Sequence, residues 1–224
     1  MGGSFASAPA LPALTSENRL TSQIADACER IASAVLLATL SPLLVAAAAA
    51  IALISGRTPL IAHRRVGQNG CLLWMLKLRT MWDRPSRSAA KPLGWVEYID
   101  DDIGPEAKYD GDPRVPNRLA RFFRRHSIDE IPQLLHVIRG EMSLVGPRPL
   151  TAPEVEKIYG GDADEILQAK PGMAGLWQVS GRNWLSCGER RQLDLRLVRA
   201  RSFRLYLGIL LQTIPEVFSG RNSW

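Results

Sequence analysis

An uninterrupted apolar run occupies residues 31–54, with Val35, Leu36, Leu37, Leu40, Leu43, Leu44, Val45, Ile51 and Leu53 among its members and no charged side chain. As one straight helix it reaches roughly 36 Å, against a bilayer hydrocarbon core of about 30 Å. The run starts well inside the chain, has no basic leader and leads directly into Ser55, Gly56 and Arg57, which is the wrong layout for a cleaved secretory signal. Pro42 lies near the middle, where it removes a backbone donor and its ring presses on the preceding turn, so a kink is expected. Each half, 31–41 and 43–54, spans only about 17 Å, half of the hydrocarbon. The hydroxyls of Thr39 and Ser41 stand close enough to bond the carbonyls that Pro42 frees. Two readings fit this pattern: a spanning helix with a tolerated proline, and a segment that enters and returns on one side. Arg57, Arg64 and Arg65 argue that the domain after the run is cytoplasmic.

Around this run the chain divides into three parts. Residues 1–27 read as a loose tail and lead-in, the first sixteen being mostly Gly, Ala, Ser and Pro. Residues 28–56 form the membrane hairpin, and 57–224 a domain of short α/β elements punctuated by Pro and Gly. The fold class expected is helix-rich α/β with a small sheet. Residues 84–113 are dense in turn formers and charge and read as an exposed excursion, one use of which is a lid. Residues 203–218 form an apolar helix led in by Arg196, Arg199, Arg201 and Arg204; a membrane-surface helix and a core helix with a basic lead-in both fit.

The net charge of +6 calls for acidic partners, and nucleic acid, anionic lipid and phosphorylated substrates satisfy it equally. The three cysteines, Cys28, Cys71 and Cys187, have no paired spacing, so neither a disulfide framework nor a zinc site is indicated and buried structural roles are expected. There is no G-x-x-x-x-G-K-[ST] loop and no G-x-G-x-x-G after a strand, which excludes the usual kinase and dehydrogenase phosphate cradles. His63, His126 and His136 share no metal-ligand spacing and receive no role.

Chemistry concentrates in RLARFFRRHSIDEIPQLLHVIRGEMSLVGPRPL, residues 118–150. Arg118, Arg121 and Arg125 share one helical face, with Leu119, Phe122 and Phe123 largely on the other. The adjacent acids Asp129 and Glu130 follow. Ser127 with Glu130 has the form of a capping box, but that register puts Pro132 at the fifth helical position, where it costs a backbone bond. Asp129 as N-cap puts Pro132 at the third position and is cheaper; it also leaves both acids at a helix start, where donors and dipole favour anions. Two carboxylates beside a diphosphate need compensating charge. Lys77, Arg79, Arg124, Arg125, Arg148 and Arg182 are the candidates, and a magnesium ion held by a carboxylate is the natural bridge.

These residues occur in an order that resembles the bacterial sugar transferases, the monotopic phosphoglycosyl transferases. The resemblance runs from Ser41-Pro42 through RRVGQNG (64–70), KLRTM (77–81), DPRV (112–115), SIDEIPQL (127–134), GEMSLVGPRPL (140–150) and KPGMAGLWQVSGRN (170–183) to the closing LLQTIPEVFSGRNSW. It implies a re-entrant helix–break–helix hinged at Ser41 and Pro42, with amphipathic interfacial helices and a catalytic domain on the cytoplasmic face of the bacterial inner membrane. It further implies that Asp129 is the nucleophile toward a nucleoside diphosphate sugar, a UDP-sugar, through a covalent phosphosugar intermediate resolved by polyprenyl (undecaprenyl) phosphate. Glu130 completes the acidic pair and, with Asp129, holds Mg2+. Lys77, Arg79, Arg124, Arg148 and Arg182 are the substrate-binding set. Partners are then the nucleotide sugar, the lipid carrier and membrane lipid, with no nucleic acid and with room for a homodimer. A membrane-anchored basic protein that binds nucleic acid without catalysis is the competing expectation. The compact extent resembles family members with little beyond the catalytic domain, and residues 84–109 are the least family-like part.

Overall fold

The computed structural model describes residues 16–81, 95–100, 118–181, 184–200 and 202–219. Helix α1 (Ser16–Ser55) carries the apolar run and extends upstream of it. Its buried and half-buried positions include Asp26, Glu29, Ser33, Leu37, Leu40, Leu44, Ala47 and Ile51. That three- and four-residue spacing forms one continuous stripe. The opposite side leaves Ile31, Val35, Leu43, Val45, Leu53 and Ile54 exposed. A helix apolar all round but buried along one stripe has water-avoiding surface to hide elsewhere.

Helix α1 runs through Pro42. The missing N–H of Pro42 would have bonded the Ala38 carbonyl, and the Ser41 hydroxyl donates to that carbonyl instead at 2.8 Å. The Thr39 hydroxyl donates to Val35 O at 2.9 Å, a carbonyl whose helical donor is the N–H of Thr39 itself, so Ser41 alone of the two replaces the bond Pro42 lacks.

Strands β1 (Leu60–Val66) and β2 (Leu72–Leu78) pair antiparallel, and β3 (Val96–Ile99) pairs parallel to β1, so β2 is an edge. Strand β3 lies inside the stretch expected to be an exposed excursion. Within GWVEYID the side chains of Val96, Tyr98 and their alternates suit a half-buried strand, a pattern the surrounding turn formers mask. The rest of that stretch, 84–94 and 101–113, lies outside the described residues.

The chain continues through α2 (Arg118–Arg125), a 3-10 helix (Ile128–Gln133), α3 (Leu134–Arg139) and β4 (Ser143–Val145). It then forms α4 (Ala152–Ile158), α5 (Ala163–Ile166), β5 (Gly172–Ala174), α6 (Leu176–Ser180), α7 (Cys187–Ala200) and α8 (Phe203–Ser219). Ala47 and Ile51 of α1 join Leu78, Phe123, Ile128, Ile131 and Leu134 in one core, so the acidic segment is built directly onto the membrane-type helix. In α2, Ala120 and Phe123 point inward, whereas Phe122 is half-exposed and stacks on His126. All three cysteines are exposed and unpaired, against the expectation of burial: Cys28 lies on the outer side of α1, Cys71 in a turn and Cys187 at a helix start.

The other end of α1 is fixed by polar contacts. Lys170 Nζ meets Asp26 Oδ2 at 2.5 Å, Ser143 Oγ donates to Glu29 at 2.8 Å, and the Tyr206 hydroxyl donates to Glu29 in a short bond. Helix α8 buries Ile209 against Val145, Ala174 and Leu176 and leaves Phe203, Leu207, Leu211 and Ile214 exposed. Its apolar groups therefore occupy both the buried and the exposed side.

Candidate active site

Lys77 lies near the end of β2, and its ammonium reaches Glu130 Oε1 at 2.7 Å; the two side chains are 14% and 24% exposed. Little water screens this pair, so it is worth more than a surface bridge and orients both groups. Asp129 is half-buried beside Glu130 on the 3-10 helix. The site's acids and its first cation thus come from an edge strand and the helix covering that edge.

The entry to the 3-10 helix differs from the expected register. Ser127, not Asp129, occupies the N-cap position, with a left-handed backbone (φ 54°) and no side-chain cap bond. The Glu130 N–H returns to the Ser127 carbonyl at 3.0 Å, and Ser127 N–H to the Arg124 carbonyl at 3.2 Å. The tighter winding changes the penalty for Pro132. In a 3-10 helix its absent donor would have served Asp129 O, three residues back, and the segment accepts that single loss. A non-glycine residue held at positive φ next to an acidic pair is a stored strain.

Arg79, two residues after Lys77, is committed elsewhere. Its guanidinium is buried, meets Glu97 Oε2 at 2.5 Å and donates to Thr58 O at 2.8 Å. Burial lowers its pKa while Glu97 opposes the shift. Arg79 thereby ties the end of β2 to β3 through Glu97. Arg124 is half-buried in the last turn of α2, immediately upstream of the acids. Arg148 is half-buried between the buried Pro147 and Pro149, close enough to Tyr159 to act on its hydroxyl electrostatically. Arg182 lies outside the described residues.

The loop holding Arg148 is braced by backbone. Gly172 N–H donates to Pro147 O at 2.8 Å, Gly146 N–H to Ala174 O at 2.9 Å, and Ser143 N–H to Pro171 O at 2.9 Å. A Cβ on Gly172 would lie 2.0 Å from Gly146 N, so the GPRP and KPGMAG segments approach as only glycine allows. Behind the loop, Tyr159 donates to the buried Asp194 at 2.8 Å. Burial pushes the Asp194 carboxyl up to about 7, against the lowering effect of the Tyr159 bond.

No group of three or more His, Cys, Asp or Glu side chains gathers among the described residues. A divalent cation here would take at most the carboxylates of Asp129 and Glu130 from those residues. That donor set fits magnesium, which is commonly held by one or two carboxylates plus substrate phosphates. Residues without any sequence signal also shape the site. Glu97 fixes Arg79, and His136 contacts both β2 and Glu141.

The Lys77–Glu130 pair thus stands beside Asp129 on a segment that packs against α1, with Arg124 in the helix immediately upstream. The model of the family described as bacterial sugar transferase matches residues 20–220, and the chain belongs to that family. It is 37% identical over 193 residues to the exopolysaccharide production protein ExoY of Sinorhizobium fredii, covering 84% of this chain and 82% of that protein. It is 40% identical over 169 residues to the UDP-galactose-lipid carrier transferase of Erwinia amylovora, covering 75% of this chain and 35% of that one. The undecaprenyl-phosphate galactose phosphotransferase of Salmonella typhimurium is 38% identical over 167 residues, covering 72% of this chain and 34% of its own. The chain therefore spans most of the first relative and about a third of the two larger ones.

Proposed function

We propose that this protein transfers a sugar 1-phosphate from a nucleoside diphosphate sugar, a UDP-sugar first of all, to undecaprenyl phosphate. A carboxylate oxygen of Asp129 attacks the sugar-linked phosphorus, the bond to the bridging oxygen breaks, and the nucleoside monophosphate leaves. A phosphate oxygen of the lipid then attacks the same phosphorus, the aspartyl bond breaks, and Asp129 returns as a carboxylate with undecaprenyl diphosphate sugar as product. Two steps let a soluble donor and a lipid acceptor use one carboxylate in turn. Magnesium, held by Asp129 and Glu130, would supply positive charge against the diphosphate. Lys77 orients Glu130 and neutralises it, while Arg124, Arg148 and Arg182 are suited to the departing and transferred phosphates.

The observation that carries this reading is the 2.7 Å Lys77–Glu130 pair next to Asp129, on a segment whose Ile128 and Ile131 pack on α1. The same packing supports one-sided membrane insertion from the cytoplasmic face of the inner membrane. Asp26 near one end of α1 and Ile51 near the other are both held by one charged domain, which cannot itself cross lipid. The exposed side of α1 and that of α8 are the surfaces for lipid. Two relatives, a UDP-galactose-lipid carrier transferase and an undecaprenyl-phosphate galactose phosphotransferase, agree by name with this acceptor.

The test uses purified protein in detergent with magnesium, undecaprenyl phosphate and a panel of UDP-sugars. Release of uridine monophosphate that depends on one donor is expected. Salt-sensitive binding of DNA or RNA with no turnover of any donor contradicts the reading and favours a basic binding protein.

A further inference from the structure

Strand β2 is the edge of its sheet, and an edge leaves backbone donors without ladder partners. One of them, Leu76 N–H, donates to Nε2 of His136 at 3.1 Å. His136 is buried, at 3% exposure, on α3. A backbone N–H can only donate, so Nε2 must offer its lone pair, and the ring proton of a neutral imidazole then sits on Nδ1. That nitrogen faces Glu141 Oε2 at 2.5 Å, which accepts it. Glu141 is brought back to its histidine by the turn after α3. Gly140 adopts φ 80°, and the N–H groups of Glu141 and Met142 both donate to His136 O, at 2.9 and 3.2 Å. The carboxylate of Glu141 thereby selects the tautomer that can grip β2.

The consecutive residues Leu76 and Lys77 are thus each held by the rod that runs from Ile128 to Arg139, one through its backbone by His136, the other through its side chain by Glu130. Apolar packing of Ile128, Ile131 and Leu134 seats the rod, and the two polar attachments, six positions apart, set how its Asp129-bearing end meets the strand edge.

We propose that His136 and Glu141 form a positioning pair that sets the Lys77–Glu130 geometry, and with it the aim of Asp129, by clamping the outer edge of β2. This rests on the transferase reading only for its kinetic consequence; the clamp itself has a readout that needs no turnover. Misplacing a reacting group by about an ångström costs roughly a hundredfold in rate, so a loosened rod should lower turnover without weakening donor affinity in proportion.

The experiment compares full-length His136→Leu, His136→Gln, Glu141→Leu and Glu141→Gln proteins in detergent with the unaltered chain. Gln places an amide oxygen where Nε2 stands and can accept from Leu76, whereas Leu cannot; at 141, Gln still accepts from Nδ1 and Leu does not. Acetylation of Lys77 by acetic anhydride, followed by peptide mass spectrometry, reads the clamp directly. His136→Leu and Glu141→Leu should expose Lys77 to faster acetylation, and both Gln variants should match the unaltered chain. For uridine monophosphate release, the Leu variants should lose roughly tenfold or more in kcat with donor KM little changed, and the Gln variants should keep most of it. Glu141 is on the surface, so its variants keep the test decisive should His136→Leu fail to fold. Unchanged Lys77 acetylation in Glu141→Leu overturns the clamp; absence of turnover in the unaltered chain overturns the transferase reading and leaves the acetylation result to judge the clamp.

Discussion

Lys77 Nζ stands 2.7 Å from Glu130 Oε1, joining the end of an edge strand to the residue after the proposed nucleophile. Breaking this pair leaves a partly buried carboxylate beside Asp129 without its cation. Lys77→Ala should therefore lower turnover by roughly a hundredfold and cost about 1–3 kcal/mol of stability. Uridine monophosphate release and urea unfolding of the same preparation measure the two effects. Loss of stability with full turnover would assign Lys77 to the fold alone.

Ser127 holds φ 54° one residue before the 3-10 helix. Glycine adopts this conformation freely, whereas a β-branched side chain resists it. Ser127→Gly should be neutral or slightly stabilising, and Ser127→Val should cost on the order of 1–3 kcal/mol. Thermal unfolding midpoints in one detergent rank the variants, and a stable Ser127→Val protein would show that the backbone there is not strained.

Gly172 has no room for a methyl group against Gly146, while Gly161 has nothing within 4 Å of the position a Cβ would take. Gly172→Ala must part β4 from β5 and displace the loop bearing Arg148. It should abolish activity and cost several kcal/mol, with Gly161→Ala as a near-silent control. Expression level and protease resistance report the difference.

Asp194 is buried, and its carboxyl is pushed up from an ordinary value of 3.8 to about 7. Between those values the folded chain binds more protons here than the unfolded chain, so this residue's contribution to stability falls as pH rises from about 4 to 7 and levels off above. Asp194→Asn cannot ionise and should flatten that fall. Urea midpoints at pH 5 and pH 8 test it: the unaltered protein should lose more stability across the interval than the variant, and equal losses contradict the assignment.

The sequence made the membrane-type helix, the acidic pair and Lys77 legible because each rests on local chemistry: an uncharged run, adjacent carboxylates, a basic strand end. What it concealed depends on partners distant in the chain. Arg79 reads like Lys77 two residues earlier, and only Glu97, inside a stretch dominated by turn formers, shows that its charge is spent on joining β3 to β2. The start of the acidic helix was misplaced because propensity weighs an α-helical register, whereas the chain winds as 3-10 from a left-handed Ser127. Pro42 and its hydroxyl neighbours were legible together, and the hydrogen bond from Ser41 to Ala38 O supplies the bond that the proline lacks. His136 has no motif at all; its role comes from the strand edge it meets.

The most direct measurement is mass spectrometry of the full-length protein after incubation with magnesium and a UDP-sugar that supports turnover, with no lipid carrier present. The account predicts a phosphosugar adduct on the peptide containing Asp129, absent from Asp129→Asn and discharged by adding undecaprenyl phosphate. An adduct on another residue, or steady turnover by Asp129→Asn, would contradict it.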